Sequence, residues 1–476
     1  MPLTSFKHAI DFSDPIAAFR NGLIGEGIMI PGLNGDVPLV YADYVASGRA
    51  LQQVESFMLE EVLPYYANSH TEASYCGAYM TKLRAAARAE IARLTGAGPD
   101  CAVVFSGSGA TAGINQLVSL LGVNEVKKAV VFVGPYEHHS NILPWRESAA
   151  TVVEIPEAST GGPNLTYLEK ALETYADFDL KIGAFSKASN VTGILTDDEQ
   201  TTRLLKSHGA LAVWDYAGAG PYVSIDMGQG DLAKDAVVIS PHKFAGGPGS
   251  SGILVLRRAS VVRDKPSRPG GGTVDFVSPW AHAYSQKVEA REEAGTPNVL
   301  GDIRAALAFL VKERVGYALI SERETKFCSA AMAAFLAHPQ IEVLGNMTAK
   351  RLPIFSLCIT DSKGAPIHQQ LFTRMLSDVY GVQARGGCAC AGPYAHRLLG
   401  IERPESEALF AAIRGGEELS KPGWVRLNFS YLMADETVHK VIHSVIELAE
   451  NAQEYMAYYQ ADAATARFVP GVKRAS

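Results

Sequence analysis

The segment ISPHKFAGGPGSSGILVL, residues 239–256, sets one lysine between a proline-bounded start and a run of glycines, then enters four apolar residues. The closing run, 253–256, has the length and β-branched content of a buried strand, and 237–240 reads as the strand before it. Lys243 therefore lies on a connection at a strand end. A lysine enclosed by residues this small and apolar is desolvated, which favours the neutral, nucleophilic amine. The plain alternative is a solvated lysine on a flexible turn.

Outward from that lysine the same pattern repeats. Short apolar runs at 102–105, 130–133, 151–155, 182–185 and 211–214 alternate with helix-length segments. With 237–240 and 253–256 they predict a mostly parallel sheet inside an α/β domain. The alanine-rich, periodic stretch 69–96, closed by Gly96, predicts a helix ahead of it. Composition changes at Pro266, and RPGGGTVDFVSPW, 268–280, reads as a long loop. Beyond it, helical periods at 303–313, 318–335, 368–379 and 437–452 mix with strand-like runs at 353–360 and 424–429. The expected organisation is an irregular N-terminal segment 1–45 packing on the small domain or a partner, a large α/β domain 46–300, and a small C-terminal α+β domain 301–476.

A chain of 476 residues exceeds one small core. Its net charge of −7, from 50 acids against 43 bases, gives no general attraction to nucleic acid or an anionic membrane. No apolar run reaches transmembrane length, and the N-terminus lacks the pattern of a signal peptide. The six cysteines are spread through a chain that needs no staples, which predicts free thiols in a reducing cytoplasm.

The unusual residues fall at strand ends, where open α/β sheets bind ligands. SGSGATAGIN, 106–115, brings flexible backbone and Thr111 to a helix start, where amide hydrogens can cradle a phosphate; a tight turn is the plain alternative. It has neither the dinucleotide nor the P-loop spacing. GPYEHHSNILPW, 134–145, carries His138 and His139, one of which could face a planar ligand while the other caps or packs. They would ligate one metal poorly. SKASNVTG, 186–193, places Asn190 after a strand. VWDYAGAG, 213–220, places Asp215 at a strand tip, where a carboxylate needs a partner such as a protonated ring nitrogen, or else serves as a helix cap. An anion cradle, a ring face, a counter-ion for a pyridine nitrogen and an imine-forming amine are together what pyridoxal 5'-phosphate requires.

On these motifs the sequence, from about Tyr41 to Ala449, resembles the class V aminotransferase family of fold-type I pyridoxal-phosphate enzymes, within it the cysteine desulfurase and selenocysteine lyase group. The resemblance implies a seven-stranded, mostly parallel sheet with a smaller domain built mainly from the C-terminal part. It makes Lys243 the Schiff-base lysine. Ser240 and His242, with Gly109, Ala110 and Thr111, would hold the cofactor phosphate. His138 would stack on the ring, Asn190 would lie near its phenolic oxygen, and Asp215 would pair with its nitrogen. EAGTPN, 293–298, matches a family segment in which Thr296 reaches the phosphate of a neighbouring subunit, which implies a homodimer. Arg385 and Arg426 match arginines that bracket the carboxylate of an amino-acid substrate. Gly218 stands where the family has glutamine, and Ser430-Tyr431-Leu432 where it has YNT.

RGGCACAGPY, 385–394, aligns without a gap to a desulfurase segment whose cysteine carries a persulfide, and puts Cys390 on that nucleophile. Cys388 falls on a histidine, an arrangement similar to the desulfurase domain of molybdenum-cofactor sulfurases. Two local cysteines without a partner pair fall short of a metal site, and a Cys-X-Cys disulfide would be strained. A structural thiol is the remaining alternative. The expected reaction is sulfur release from L-cysteine, giving alanine and a Cys390 persulfide, with a sulfur-acceptor protein as a further partner. Another pyridoxal-phosphate lyase, hydrolase or aminotransferase of the family is the second expectation.

Overall fold

The computed structural model describes residues 3–69 and 72–471. They form two compact units, one of residues 3–24, 47–69, 72–189 and 195–320, the other of 25–46, 190–194 and 321–471. The expected segment 1–45 is thus divided between them. The expected boundary at 300/301 precedes the observed one at Ile320, which falls within the helix Tyr317–Leu336.

The first unit is built on seven strands: β1 (Cys101–Gly107), β2 (Ala129–Val133), β3 (Thr151–Glu154), β4 (Leu180–Ser186), β5 (Leu211–Asp215), β6 (Ala236–Ile239) and β7 (Gly252–Arg257). Their order is β1-β7-β6-β5-β4-β2-β3. β2 to β6 pair in parallel, and β7 is antiparallel to both neighbours. All seven runs found in the sequence are strands of this one sheet. Every residue of β2 and β6 is buried; both faces are covered, so these strands show no polar alternation. The helix α1 (Tyr75–Leu94) is capped by Ser74, whose side chain accepts from Gly77 N. The helix α2 (Gly109–Leu120) leaves directly from β1 and packs Ile114 and Leu117 into a core with Val104, Val131, Val213, Val238 and Leu254. Because β2, β4, β5 and β6 are parallel, the connections leaving them share one edge of the sheet.

Two segments differ from the sequence reading. Residues 268–280, read as a loop, contain a strand of the hairpin β8 (Val274–Val277) and β9 (His282–Tyr284). Its turn closes through Ser278 N to Ala281 O at 2.7 Å, and it leaves Trp280 90% exposed. The flanking glycines masked a short β-branched run. The first 45 residues, read as irregular, hold the helices Thr4–Ala9 and Pro15–Asn21 and the hairpin Met29–Gly32 with Gly35–Pro38. Asp14 caps the second helix by accepting from Ala17 N at 3.0 Å.

The second unit has a four-stranded antiparallel sheet: β10 (Ile341–Val343), β11 (Ile354–Ile359), β12 (Arg385–Gly387) and β13 (Trp424–Asn428), in the order β10-β11-β13-β12. The helices Gln369–Tyr380 and Asp435–Met456 cover it through Phe372, Leu376, Val441 and Val445, which share a core with Phe355, Leu357 and Leu427. Among the described residues no helix is long and apolar enough to cross a membrane.

Candidate functional site

The first unit gathers its set at the ends of β1, β2, β5 and β6. At the start of α2, Ser108 makes no side-chain cap, and a helix start of this kind can bind an anion. Ala110 N donates to Ser240 Oγ at 2.9 Å. A Cβ on Gly109 would meet His242 Cε1 and Ser240 Oγ at 3.0 Å each, and Gly109 has φ 59°. The glycine is required here, since it lets three elements converge on one small cradle. Burial, with the neighbouring Lys243 charge, pushes His242 down to about 4, so its imidazole is neutral at ordinary pH.

Thr111 Oγ1 bonds Ser140 Oγ at 2.7 Å, and Ser140 N donates to His138 Nδ1 at 3.1 Å. Thr111, at the cradle, and His138 therefore belong to one hydrogen-bonded chain. With Nδ1 accepting, the neutral imidazole of His138 carries its proton on Nε2. His138 thus caps the short turn 139–141 that follows it.

Asp215 ends β5 and is 5% exposed. Burial raises its pKa, opposed by the Ala217 N–H at 2.7 Å and by the charge of Lys243. A buried carboxylate held this weakly regains its ionised form beside a cation such as a protonated ring nitrogen. Cradle, carboxylate and lysine thus fit pyridoxal phosphate. Thr296 is exposed, on a segment fixed by Glu293, which pairs with Arg84 at 2.6 Å and Arg88 at 2.7 Å and accepts from Phe105 N.

Sequence reasoning missed Glu137. It is buried, accepts from Ser186 N at 2.8 Å and Ser186 Oγ at 2.6 Å, and takes Asn141 Nδ2 at 2.5 Å. Burial pushes it up to about 7; the hydrogen bonds oppose the rise and the Asp215 charge adds to it. An acid just past the wholly apolar β2, after Gly134-Pro135-Tyr136, was the available signal. A carboxyl that ionises near 4.5 in the unfolded chain and near 7 in the folded one keeps, between those values, a proton that unfolding releases. Its stabilising share, about 3 kcal/mol, is whole below pH 4.5 and lost as pH rises through 7. Denaturant unfolding of the cofactor-free protein from pH 4.5 to 8 is expected to show this fall relative to Glu137→Gln, which does not titrate. Parallel curves would contradict it.

The second unit gathers the other set. Arg385 and Arg426 are cross-strand partners on β12 and β13. Like charges directly opposite repel, and Asp43, also missed in the sequence, resolves the conflict. Its Oδ2 takes Arg385 Nε and its Oδ1 takes Arg426 Nη2, each at 2.9 Å. Two guanidinium groups share one carboxylate, which leaves a single positive charge over, the complement of one further carboxylate. Arg426 is 4% exposed with its Nε buried and unpartnered. Burial lowers its pKa, Asp43 opposes that, Arg385 adds to it, and the Cys390 charge opposes it.

Asn190 belongs to this second unit. Its backbone carbonyl accepts from Arg426 Nη1 at 3.1 Å and its Nδ2 donates to Ala389 O at 2.8 Å. Of the six cysteines, all free, Cys390 is the exposed one. Ala389 and Cys390 have φ 53° and 55°, a conformation that costs a residue with a Cβ roughly 1–2 kcal/mol each. Among the described residues no cluster of three or more His, Cys, Asp or Glu could hold a metal ion.

A parallel-sheet edge with an anion cradle, a buried carboxylate and a lysine defines a pyridoxal-phosphate enzyme of fold-type I. The chain belongs to the class-V aminotransferase family, whose model, described as Aminotransferase class-V, matches residues 40–441. It is 27% identical over 392 residues to a probable cysteine desulfurase of Staphylococcus aureus, covering 81% of this chain and 89% of that one. It is 28% identical over 366 residues to a probable cysteine desulfurase of Halalkalibacterium halodurans, covering 76% and 86%. In fold it is similar to the apo cysteine desulfurase of Thermococcus onnurineus NA1, with TM-score 0.72, 24% identity and coverage of 86% and 94%. It is also similar to a cysteine desulfurase of Escherichia coli in S-sulfonic acid form, with TM-score 0.71, 22% identity and coverage of 91% and 98%.

Proposed function

We propose that this enzyme takes sulfur from L-cysteine, releasing alanine and leaving a persulfide on Cys390. The observation that carries the reading is an exposed thiol on a loop hydrogen-bonded into the cluster that holds two arginines over one carboxylate. Pyridoxal phosphate, when bound, supplies an aldehyde for the substrate amine and a ring that accepts the electron pair released at Cα. Gly109, Ala110, Thr111, Ser240 and His242 hold its phosphate, and Asp215 keeps a negative charge at its ring nitrogen. Lys243 would hold the aldehyde at rest and accept the Cα proton on Nζ. His138 would cover the ring and assist the proton transfer. Arg385 and Arg426 hold the substrate carboxylate, and Asn190 serves the ring oxygen. Cys390 Sγ, as thiolate, then attacks the substrate sulfur. One S–S bond forms, one C–S bond breaks, and a thiol plus cysteine becomes a persulfide plus alanine.

The same reading makes the enzyme a cytoplasmic homodimer, with Thr296 serving the partner's cofactor phosphate; its exposure in the single chain supports this. A persulfide also requires a sulfur acceptor, which we take to be a protein. A second reading, another pyridoxal-phosphate lyase, hydrolase or aminotransferase in which Cys390 is incidental, is favoured by Gly218 in place of the family glutamine.

Cys390→Ala decides between them. It is expected to bind the cofactor normally while alanine release from L-cysteine falls at least about 10³-fold and no persulfide is seen by mass spectrometry. Turnover of a different amino acid with Cys390→Ala unimpaired would establish the second reading.

A further inference from the structure

Ala389 and Cys390 are consecutive left-handed residues that carry a Cβ; among the described residues only Ala466 shares that conformation outside glycine. Such a pair persists only where its surroundings hold it. Gly387, with φ 122°, gives the chain a pivot just before it. Inside the turn, Ala391 N donates to Cys388 O at 3.2 Å. Among the described residues, the one hydrogen bond reaching 388–390 from outside the turn is Asn190 Nδ2 to Ala389 O, at 2.8 Å. Asn190 is itself fixed, 8% exposed, with its carbonyl accepting from Arg426. Its Oδ1 is buried without a partner. The amide is therefore oriented by its donor end alone, and a buried acceptor is left unsatisfied to keep that orientation.

We propose that Asn190 is a positioning residue for the Cys390 thiol: its amide N–H clamps the Ala389 carbonyl and so keeps the left-handed turn that presents Sγ. The proposal rests on the reading of Cys390 as sulfur acceptor and adds the group that aims it. Because Arg426 holds Asn190 and also belongs to the substrate-carboxylate pair, the thiol and the carboxylate site share one hydrogen-bonded network. Weakening it at either end loosens both.

The test is deuterium exchange of the peptide spanning 385–394, with peptide-mapped alkylation of Cys390 by iodoacetamide, on the full-length chain as purified. Asn190→Ala is expected to speed exchange of this segment roughly 3- to 10-fold, the loss of one hydrogen bond, and to change the Cys390 alkylation rate by a similar factor. Asn190→Asp separates positioning from bulk. Its carboxylate cannot donate and repels the Ala389 carbonyl at pH 8, whereas the protonated acid can donate an O–H. Exchange relative to wild type at each pH is therefore expected to be fast at pH 8 and to return toward one on acidification. A purely structural role would not reverse with pH. Wild-type exchange in both variants, or no recovery of Asn190→Asp at low pH with the fold intact by circular dichroism, overturns the clamp. Persulfide formation surviving in Cys390→Ala defeats the nucleophile reading instead, and leaves the exchange result standing.

Discussion

Lys243→Ala is expected to lower alanine release from L-cysteine by about 10⁴-fold, the upper range for loss of a positioned proton acceptor. The residue sits on a short helical turn after β6, locked by Lys243 N to Ser240 O at 3.0 Å and Phe244 N to Pro241 O at 2.9 Å. Its charge acts on both Asp215 and His242. Among the described residues no other lysine stands in that relation to both. The nearest in chemistry is Lys312, buried behind Phe244, its amine pushed down to about 7 by burial and bonded to Gly220 O and Val223 O. That amine is committed to the loop after β5, so it does not substitute. Cofactor affinity is expected to survive in part, because the phosphate cradle and Asp215 remain. Rates within tenfold of wild type would remove Lys243 from the chemistry.

Arg426→Ala is the second large effect, on stability and on catalysis together. The Arg426–Asp43 pair is almost wholly buried, with side chains 5% and 10% exposed. Removing one partner of such a pair costs about 3–5 kcal/mol, because the other charge stays behind. Asp43 would keep only Arg385, whose side chain is half exposed, and the surplus positive charge that suits a carboxylate would be gone. kcat/KM for L-cysteine is expected to fall by about 10³-fold, the equivalent of roughly 4 kcal/mol. Most of the fall should lie in KM, since the carboxylate is held equally before and during reaction. Arg426→Lys should rescue stability better than turnover, because one ammonium cannot serve Asp43 Oδ1 and Asn190 O in the planar geometry of a guanidinium. An unchanged KM in a folded Arg426→Ala protein would contradict the assignment.

The sequence disclosed some layers of this design and hid others for definite reasons. β2, β5 and β6 were legible because strands buried on both faces are continuous apolar runs. Lys243, Asp215 and the 106–115 turn stood out because they lie at the ends of such runs with chemistry that a core does not tolerate unpaired. Asp43 was not, because its meaning lies in Arg426, 383 residues away. Glu137 was overlooked beside two histidines, and its partner Ser186 is 49 residues distant. Asn190 was read by resemblance as a ring contact, and its bond to Ala389 depends on a pairing 199 residues long. A sequence shows which residue is unusual; only the fold supplies the partner that says why. The hairpin β8–β9 shows the converse, since glycines that suggested an open loop merely precede a paired strand.

The central claim is that Lys243 carries the aldehyde of pyridoxal phosphate beside Asp215. The most direct measurement is borohydride reduction of the cofactor-loaded protein, followed by peptide mass mapping. A stable pyridoxyl adduct on the peptide containing Lys243, absent in Lys243→Ala, is the predicted result. An adduct at another lysine, or none at saturating cofactor, would contradict it.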